Sequence, residues 1–419
     1  MRRLPSNSGF APAATGVSQP AVALSRQILN RRIFYSTFGI PTVAAFSIFV
    51  GSAARAIPVL LAVPIQRDLS WAESDITGPI AISIAISAVG APVAVRGLAR
   101  VSARSLLFLS LVVLAMSLAL SSLATSPWHL LLFWGVGIGL SGSLSTAILA
   151  VIIGLRGCAG HCGAALGLFS STQFLGTAAG LLLASRLAEA FGWRAVLSAA
   201  AATTLIAALA VLLVLDARDG RASPQASATG RATFPRVTAR KGSIWIFAAI
   251  FFICGASTTG LIDSRLGILC MSNGLGLSSS ADVLAIIAVS GGIGSAASGL
   301  LADRYSARML LTVYFGARGI ALLWLPFTSL SLIELSRFGA FYGLDAALTF
   351  PALAKLFSRN LHQQDIGRTI SWMMVAHIAG AAITSAWVGF LGTANYAISF
   401  AVVGFMCLLA VGLVRISGD

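Results

Sequence analysis

The chain has 419 residues, of which 57% are hydrophobic and only 10% charged, with a mean hydropathy of +0.91. An ordinary soluble domain carries about 25% charged residues, so this composition excludes a water-facing surface of the usual kind. At roughly 20 apolar residues per span the apolar content suffices for about twelve transmembrane helices, whereas barrel strands alternate and run only about ten residues.

Residues 1–35 hold Arg2 and Arg3 followed by a Pro-, Ser- and Gly-interrupted stretch without a uniform apolar core, which reads as a cytoplasmic tail and not a cleavable signal peptide. Apolar segments then follow at about 36–62, 76–96, 105–125, 129–154, 163–187 and 193–215. A polar stretch, 216–242, carries Arg218, Arg221, Arg231, Arg236, Arg240 and Lys241 and reads as a solvated basic linker. Six further apolar segments occupy about 243–271, 282–301, 309–328, 333–357, 367–391 and 395–415, leaving 416–419 as a short C-terminal tail. The expected fold is therefore an all-α polytopic membrane protein of 12 transmembrane helices, with bundles at 36–215 and 243–415.

The net charge of +15 takes its meaning from this layout. If tail and linker share one side, that side gathers 21 of the 28 Lys and Arg residues and the other side only Arg67, Arg186, Arg194 and Arg337. The positive-inside rule then puts both termini in the cytoplasm, and the basic residues meet anionic lipid head groups instead of nucleic acid. The five cysteines have no paired zinc spacing, and the Cys158–Cys162 run with His161 offers three ligands at most, so no metal and no disulfide framework is expected.

Sliding the sequence over itself shows a repeat at an offset of 204 residues. Arg100–Leu107 (RVSARSLL) matches Arg304–Leu311 (RYSARMLL) at six of eight positions, and the same shift pairs Gly51 with Gly255, Gly139 with Gly343 and Gly176 with Gly380. Two six-helix halves related by an axis along the membrane normal, with a site between them, are one way secondary transporters are built.

Specific residues carry a resemblance. Arg55, Pro64, Asp68, Leu69 and Trp71 follow one another through the first helix and its outer loop, and Gly192-Trp193-Arg194 opens the sixth. Beyond the linker come Phe251–Gly255 (FFICG), Gly260–Ile262 (GLI), Asp303–Arg308 (DRYSAR), Arg318-Gly319, Phe341–Asp345 (FYGLD), and Ala376, His377 and Gly380. From about residue 36 to 415 the chain resembles the major facilitator superfamily of transporters, and within it the bacterial group similar to monocarboxylate carriers. The resemblance implies a symporter-like membrane transporter working by alternating access, located in the bacterial inner membrane as a monomer. A small-molecule substrate, preferably a small organic anion such as a monocarboxylate, is implied, with proton coupling. Export of drug-like or amphipathic compounds and a non-transporting receptor on the same fold are the alternatives. The eighth helix, around Ser290–Ser298, lacks the Asp and Arg that characterised monocarboxylate carriers place there.

Arg55 is the sharpest single residue. An Arg near a helix centre costs about 2.5–3.5 kcal/mol to insert, so it must face a cavity, a counter-ion or carbonyl oxygens. In the resembled family the first helix lines the cavity, where Arg55 can hold a carboxylate through a bidentate fork. A structural pair with Asp345 is the other reading. Ser145, Thr258 and Thr259 can furnish neutral hydrogen bonds to a substrate or simply pack, and Arg265 can serve as a second anion contact or an outer gate. Asp263, Asp345 and His377 are the candidates for proton coupling; the alternatives are a position at the membrane interface, reaching water by snorkelling, for Asp263 together with Arg265, a fixed ion pair for Asp345 and an interhelical hydrogen bond for His377. His377 and Gln173 are repeat mates. Arg318 is a candidate structural ion pair for Asp345.

The cytoplasmic loops resemble the superfamily's G-x-x-x-D-R-x-G-R-R gate. Gly299, Asp303, Arg304 and Arg308 keep the pattern with Ser306 in place of its second Gly. The first copy retains Arg100 and Arg104 but has Val95 and Ala99 where Gly and Asp belong, so the two inner latches are expected to be unequal. No phosphate loop, no nucleophile–His–acid set and no cofactor motif is present, so no enzyme activity and no cofactor are expected.

Overall fold

The structure, a computed structural model, describes residues 40–97, 101–144, 162–215, 241–345 and 363–416. These residues are almost entirely helical, and among them eight helices are long and apolar enough to cross a membrane. A bilayer core leaves no water to satisfy free backbone groups, so continuous helices are the economical way across it. Leu213, Phe327 and Phe390 expose more than four-fifths of their surface, as lipid-facing side chains do. This is a multi-pass helical membrane protein.

α1 spans Ile40–Leu69 and contains Pro58 and Pro64. It runs well past the apolar stretch read from the sequence and stops at Ser70, whose φ of +54° turns the chain. α2 spans Glu73–Gly97 and α3 Ala103–Ser121. α4 continues from Pro127–Leu130 through a wide-turned π stretch, Leu131–Ile138, into Gly139–Ser143. The run Cys162–Val214 is two helices, α5 and α6, broken at Gly192 with φ +80° and ψ 167°, a conformation that only glycine adopts freely.

In the second half, α7 comprises Lys241–Gly255, a π stretch Ala256–Asp263 and Ser264–Ser272. α8 spans Leu277–Arg304, α9 Ala307–Trp324, α10 residues 332–345, α11 Gln363–Leu391 and α12 Tyr396–Ile416. The end of the bundle at which α1 turns into α2 is here termed distal.

The sequence repeat has a physical counterpart. Ser102 and Ser306, equivalent in the two copies, are each the N-cap of the following helix, accepting from the backbone N–H of Ser105 at 3.2 Å and of Met309 at 3.3 Å. Such a cap contributes about 1 kcal/mol, which gives Ser306 a role at the position where the gate motif has glycine. Close helix crossings repeat as well. A Cβ on Gly139 of α4 would meet the Ser83 carbonyl of α2 at 2.9 Å, and one on Gly343 of α10 would strike the equivalent Ile287 carbonyl of α8. Gly176 of α5 lies on the Phe49 carbonyl of α1, and Gly380 of α11 on that of Phe252 of α7. Small residues permit this backbone approach where the hydrophobic effect does not drive helices together. Between α1–α6 and α7–α12 the main packing is α2 on α11 and α5 on α8.

Candidate functional site

A cavity of about 410 Å³ opens between these two sets of helices, lined from α1, α2, α4, α5, α7, α8 and α11. That volume is in the range of small-molecule sites. Arg55 and Ser52 come from α1, Gln173, Phe174 and Thr177 from α5, and Thr259 and Asp263 from the π stretch of α7. The remaining wall is largely apolar, with Trp134 of α4 its largest aromatic.

Arg55 is half-buried, faces this cavity, and has no hydrogen-bond or ion-pair partner among the described residues. It does not pair with Asp345. Asp263 shares the cavity, and its Oδ2 accepts from Thr259 Oγ1 at 3.2 Å, one helical turn back. Arg55 and Asp263 form no ion pair within 4 Å, so a fixed cation and a carboxylate face the same space separately. His377 of α11 lies within electrostatic reach of Asp263 and beside the Cys254 thiol.

Thr258, next in sequence to Thr259, is not on the cavity wall; its hydroxyl donates to the Cys254 carbonyl of its own helix at 2.8 Å. Ser145 lies outside the described residues, as does Arg100. The sequence reading missed Phe174 and Trp134, which look like ordinary apolar residues in a span, and named Gln173 only as the repeat mate of His377, although it lines the cavity. The repeat offers one signal for them. Phe174 and Ile378 are equivalent positions, and both reach the cavity.

Asp345 is placed elsewhere. Arg318 Nε donates to Asp345 Oδ2 at 2.7 Å, with the Arg318 side chain wholly buried and that of Asp345 nearly so. The guanidinium also donates to Ser257 Oγ at 3.3 Å and lies over the ring of Phe315 at 5.3 Å. Tyr342 closes the cluster by donating to the Ser257 carbonyl at 2.6 Å. This pair joins α7, α9 and α10 behind the cavity.

Arg265 stands at the distal end, off the cavity wall. It is only 5% exposed, and its Nη2 donates to the Ser385 carbonyl of α11 at 2.5 Å. Gly389 leaves room for the guanidinium beside Thr77 of α2, and Glu73 of α2 is within electrostatic reach. Nε and Nη1 have no hydrogen-bond partner among the described residues, nor has Ser385 Oγ. Burying a cation that makes one carbonyl hydrogen bond and leaves two N–H groups unpaired carries a desolvation cost that the single bond offsets only in part. Arg265→Met is therefore expected to leave the melting temperature unchanged or raise it; a clear fall in a thermal melt would count against this account. Two further contacts close the distal end: Arg186 of α5 lies 4.0 Å from Asp282 of α8, and Glu189 of α5 accepts from the Ser278 N–H at the start of α8 at 3.1 Å.

At the opposite end, Arg104 Nη2 donates to the Leu212 carbonyl at 2.5 Å, tying the start of α3 to the last turn of α6 inside the first set of helices. Arg304 is exposed, Arg308 is half-buried, and Gly299 and Asp303 lie in the last turns of α8.

The sequence profile described as Major Facilitator Superfamily matches residues 42–335. The chain belongs to this superfamily. Among solved structures, a bacterial homolog to the human lysosomal transporter Spinster, inward-facing and unoccupied, superposes with a TM-score of 0.70 at 15% identity, covering 91% of this chain and 97% of that one. The occupied inward-facing form of that homolog gives 0.72 at 15% identity, over 92% and 97%. A point variant of the nucleoside transporter NupG gives 0.73 at 12% identity, over 91% and 100%. These likenesses show a shared fold. No curated protein sequence matches.

Proposed function

We propose that the chain is a secondary active transporter of a small amphipathic organic anion, a monocarboxylate-like solute, coupled to protons. Two six-helix bundles, α1–α6 and α7–α12, rock about the cavity between them, with both termini on the cytoplasmic side of a bacterial inner membrane. The observation that carries this reading is Arg55, a cation on the cavity wall with no described partner. A carboxylate held by its planar fork gains two charge-assisted hydrogen bonds, while an apolar tail lies against Trp134, Phe174 and Leu284.

Asp263 is the coupling carboxylate in this reading. It reaches the cavity, whereas Asp345 is held by Arg318. His377 lies within electrostatic reach of Asp263, and the Thr259 hydroxyl donates to its carboxylate. The contacts of Arg265, Arg186 and Glu189 support a state closed at the distal, periplasmic end, with Arg304, Arg308, Gly299 and Asp303, together with Arg100 and Arg104, gating the other.

Counterflow of labelled carboxylates in proteoliposomes tests the proposal. Wild-type protein is expected to exchange a carboxylate and to accumulate it when the outside is acidified. Asp263→Asn is expected to keep exchange and lose accumulation. Exchange of amphipathic cations with no carboxylate exchange would overturn the anion reading; the apolar walls then favour an exporter of drug-like compounds.

A further inference from the structure

Phe174 lines the cavity from α5 and is stowed against α8 in a way that only glycine allows. A Cβ on Gly291 would lie 2.8 Å from both Cδ1 and Cε1 of the Phe174 ring and 3.3 Å from Cζ. The neighbouring turn fixes the register of this crossing, because Ser171 Oγ donates to the Gly292 carbonyl at 3.0 Å. α8 is clamped on the adjoining face as well. About 60° around the helix from Gly291, a Cβ at Gly294 would meet the Leu344 carbonyl of α10 at 2.5 Å, and Gly343 of α10 already rests against Ile287 and Ser290 of α8. These other crossings are backbone on backbone, so the ring, the outer end of a side chain, is the part expected to give way to a side chain at position 291, and the open space beside it is the cavity.

The repeat shows the contrasting arrangement. The positions equivalent to Gly291 and Phe174 are Ser87 and Ile378, and both line the same cavity. There the helix carries a Cβ and the equivalent wall position carries the smaller side chain. The cavity is thus unequal on its two sides.

We propose that Phe174 sets the upper size limit of the substrate and that Gly291 is the positioning residue that keeps its ring out of the cavity. The ligand class is an organic anion whose apolar body extends past Arg55 into the space the stowed ring leaves free. The proposal rests on the reading of this cavity as the substrate site.

The test uses Gly291→Ala, Phe174→Ala and the double variant of the full chain. An experimental structure of Gly291→Ala is expected to show the Phe174 ring turned into the cavity; an unmoved ring with α8 displaced would overturn the proposal. Binding is then read by thermal shift with straight-chain carboxylates from acetate to decanoate, and with alkyltrimethylammonium ions of matching length. Gly291→Ala is expected to weaken the longest binders about tenfold while sparing the shortest, and the double variant to restore them. A uniform loss at every length would mean a general structural effect and sink the size limit. If only the ammonium ions bind, with the same length cut-off, the size limit stands and the anion reading falls. If neither series binds, the ring position in the Gly291→Ala structure decides.

Discussion

Arg55→Gln is expected to cut carboxylate affinity by roughly 10- to 150-fold, because hydrogen bonds to charged groups contribute about 1.5–3 kcal/mol and each 1.4 kcal/mol is a factor of ten. Folding should not suffer. The side chain has no described partner to lose, and removing a partly desolvated cation from a span eases an insertion cost. Titration calorimetry on detergent-purified wild type, Arg55→Gln and Arg55→Lys separates charge from geometry. Lys keeps the charge without the fork, so an intermediate affinity is expected. Equal affinities in all three proteins would remove Arg55 from the site.

The second large effect concerns stability. Arg318→Met would strand Asp345 beside Tyr342 and Phe315 without its cation, and breaking a buried pair from one side costs about 3–5 kcal/mol. The reciprocal Asp345→Leu strands Arg318 and should cost as much. The double variant is expected to recover most of the loss, since an apolar pair of similar volume is often no worse than the ions. Thermal unfolding of the four proteins gives the coupling directly. Additive losses in the double variant would show that the two side chains act independently. Transport by the double variant adds a separate check: if it survives, Asp345 carries no proton.

Much of the helical framework was legible because its signals are local. Long apolar runs mark spans, polar stretches divide them, and the S-A-R repeat places the caps at Ser102 and Ser306. The charged residues could also be found, since each interrupts an apolar run. Their roles could not. Asp263 and Arg265 are two positions apart in one helix, yet one faces the cavity and the other is buried against α11. Thr258 and Thr259 are adjacent, and only the second reaches the cavity. Helical geometry sends neighbours to different faces, but which face of α7 meets the cavity is set by its packing against other helices, which composition does not announce. Phe174 was hidden for a different reason. An aromatic in a span signals packing until its neighbour on another helix is known to be Gly291.

The wide turns of α7 have a consequence for how this protein tolerates changes in length. A π stretch holds a residue beyond what the α-helical ladder uses, so deleting one residue between 256 and 263 would let the ladder close without a gap. The surplus residue is absorbed within the widened turns, so the helix beyond it would keep its phase and Arg265 would still meet the Ser385 carbonyl. A one-residue deletion in the regular α-helical part of α7 has no such slack and would rotate everything after it by about 100°, the angle one residue subtends. The π stretch is therefore the place where this helix can change length without re-aiming its distal end.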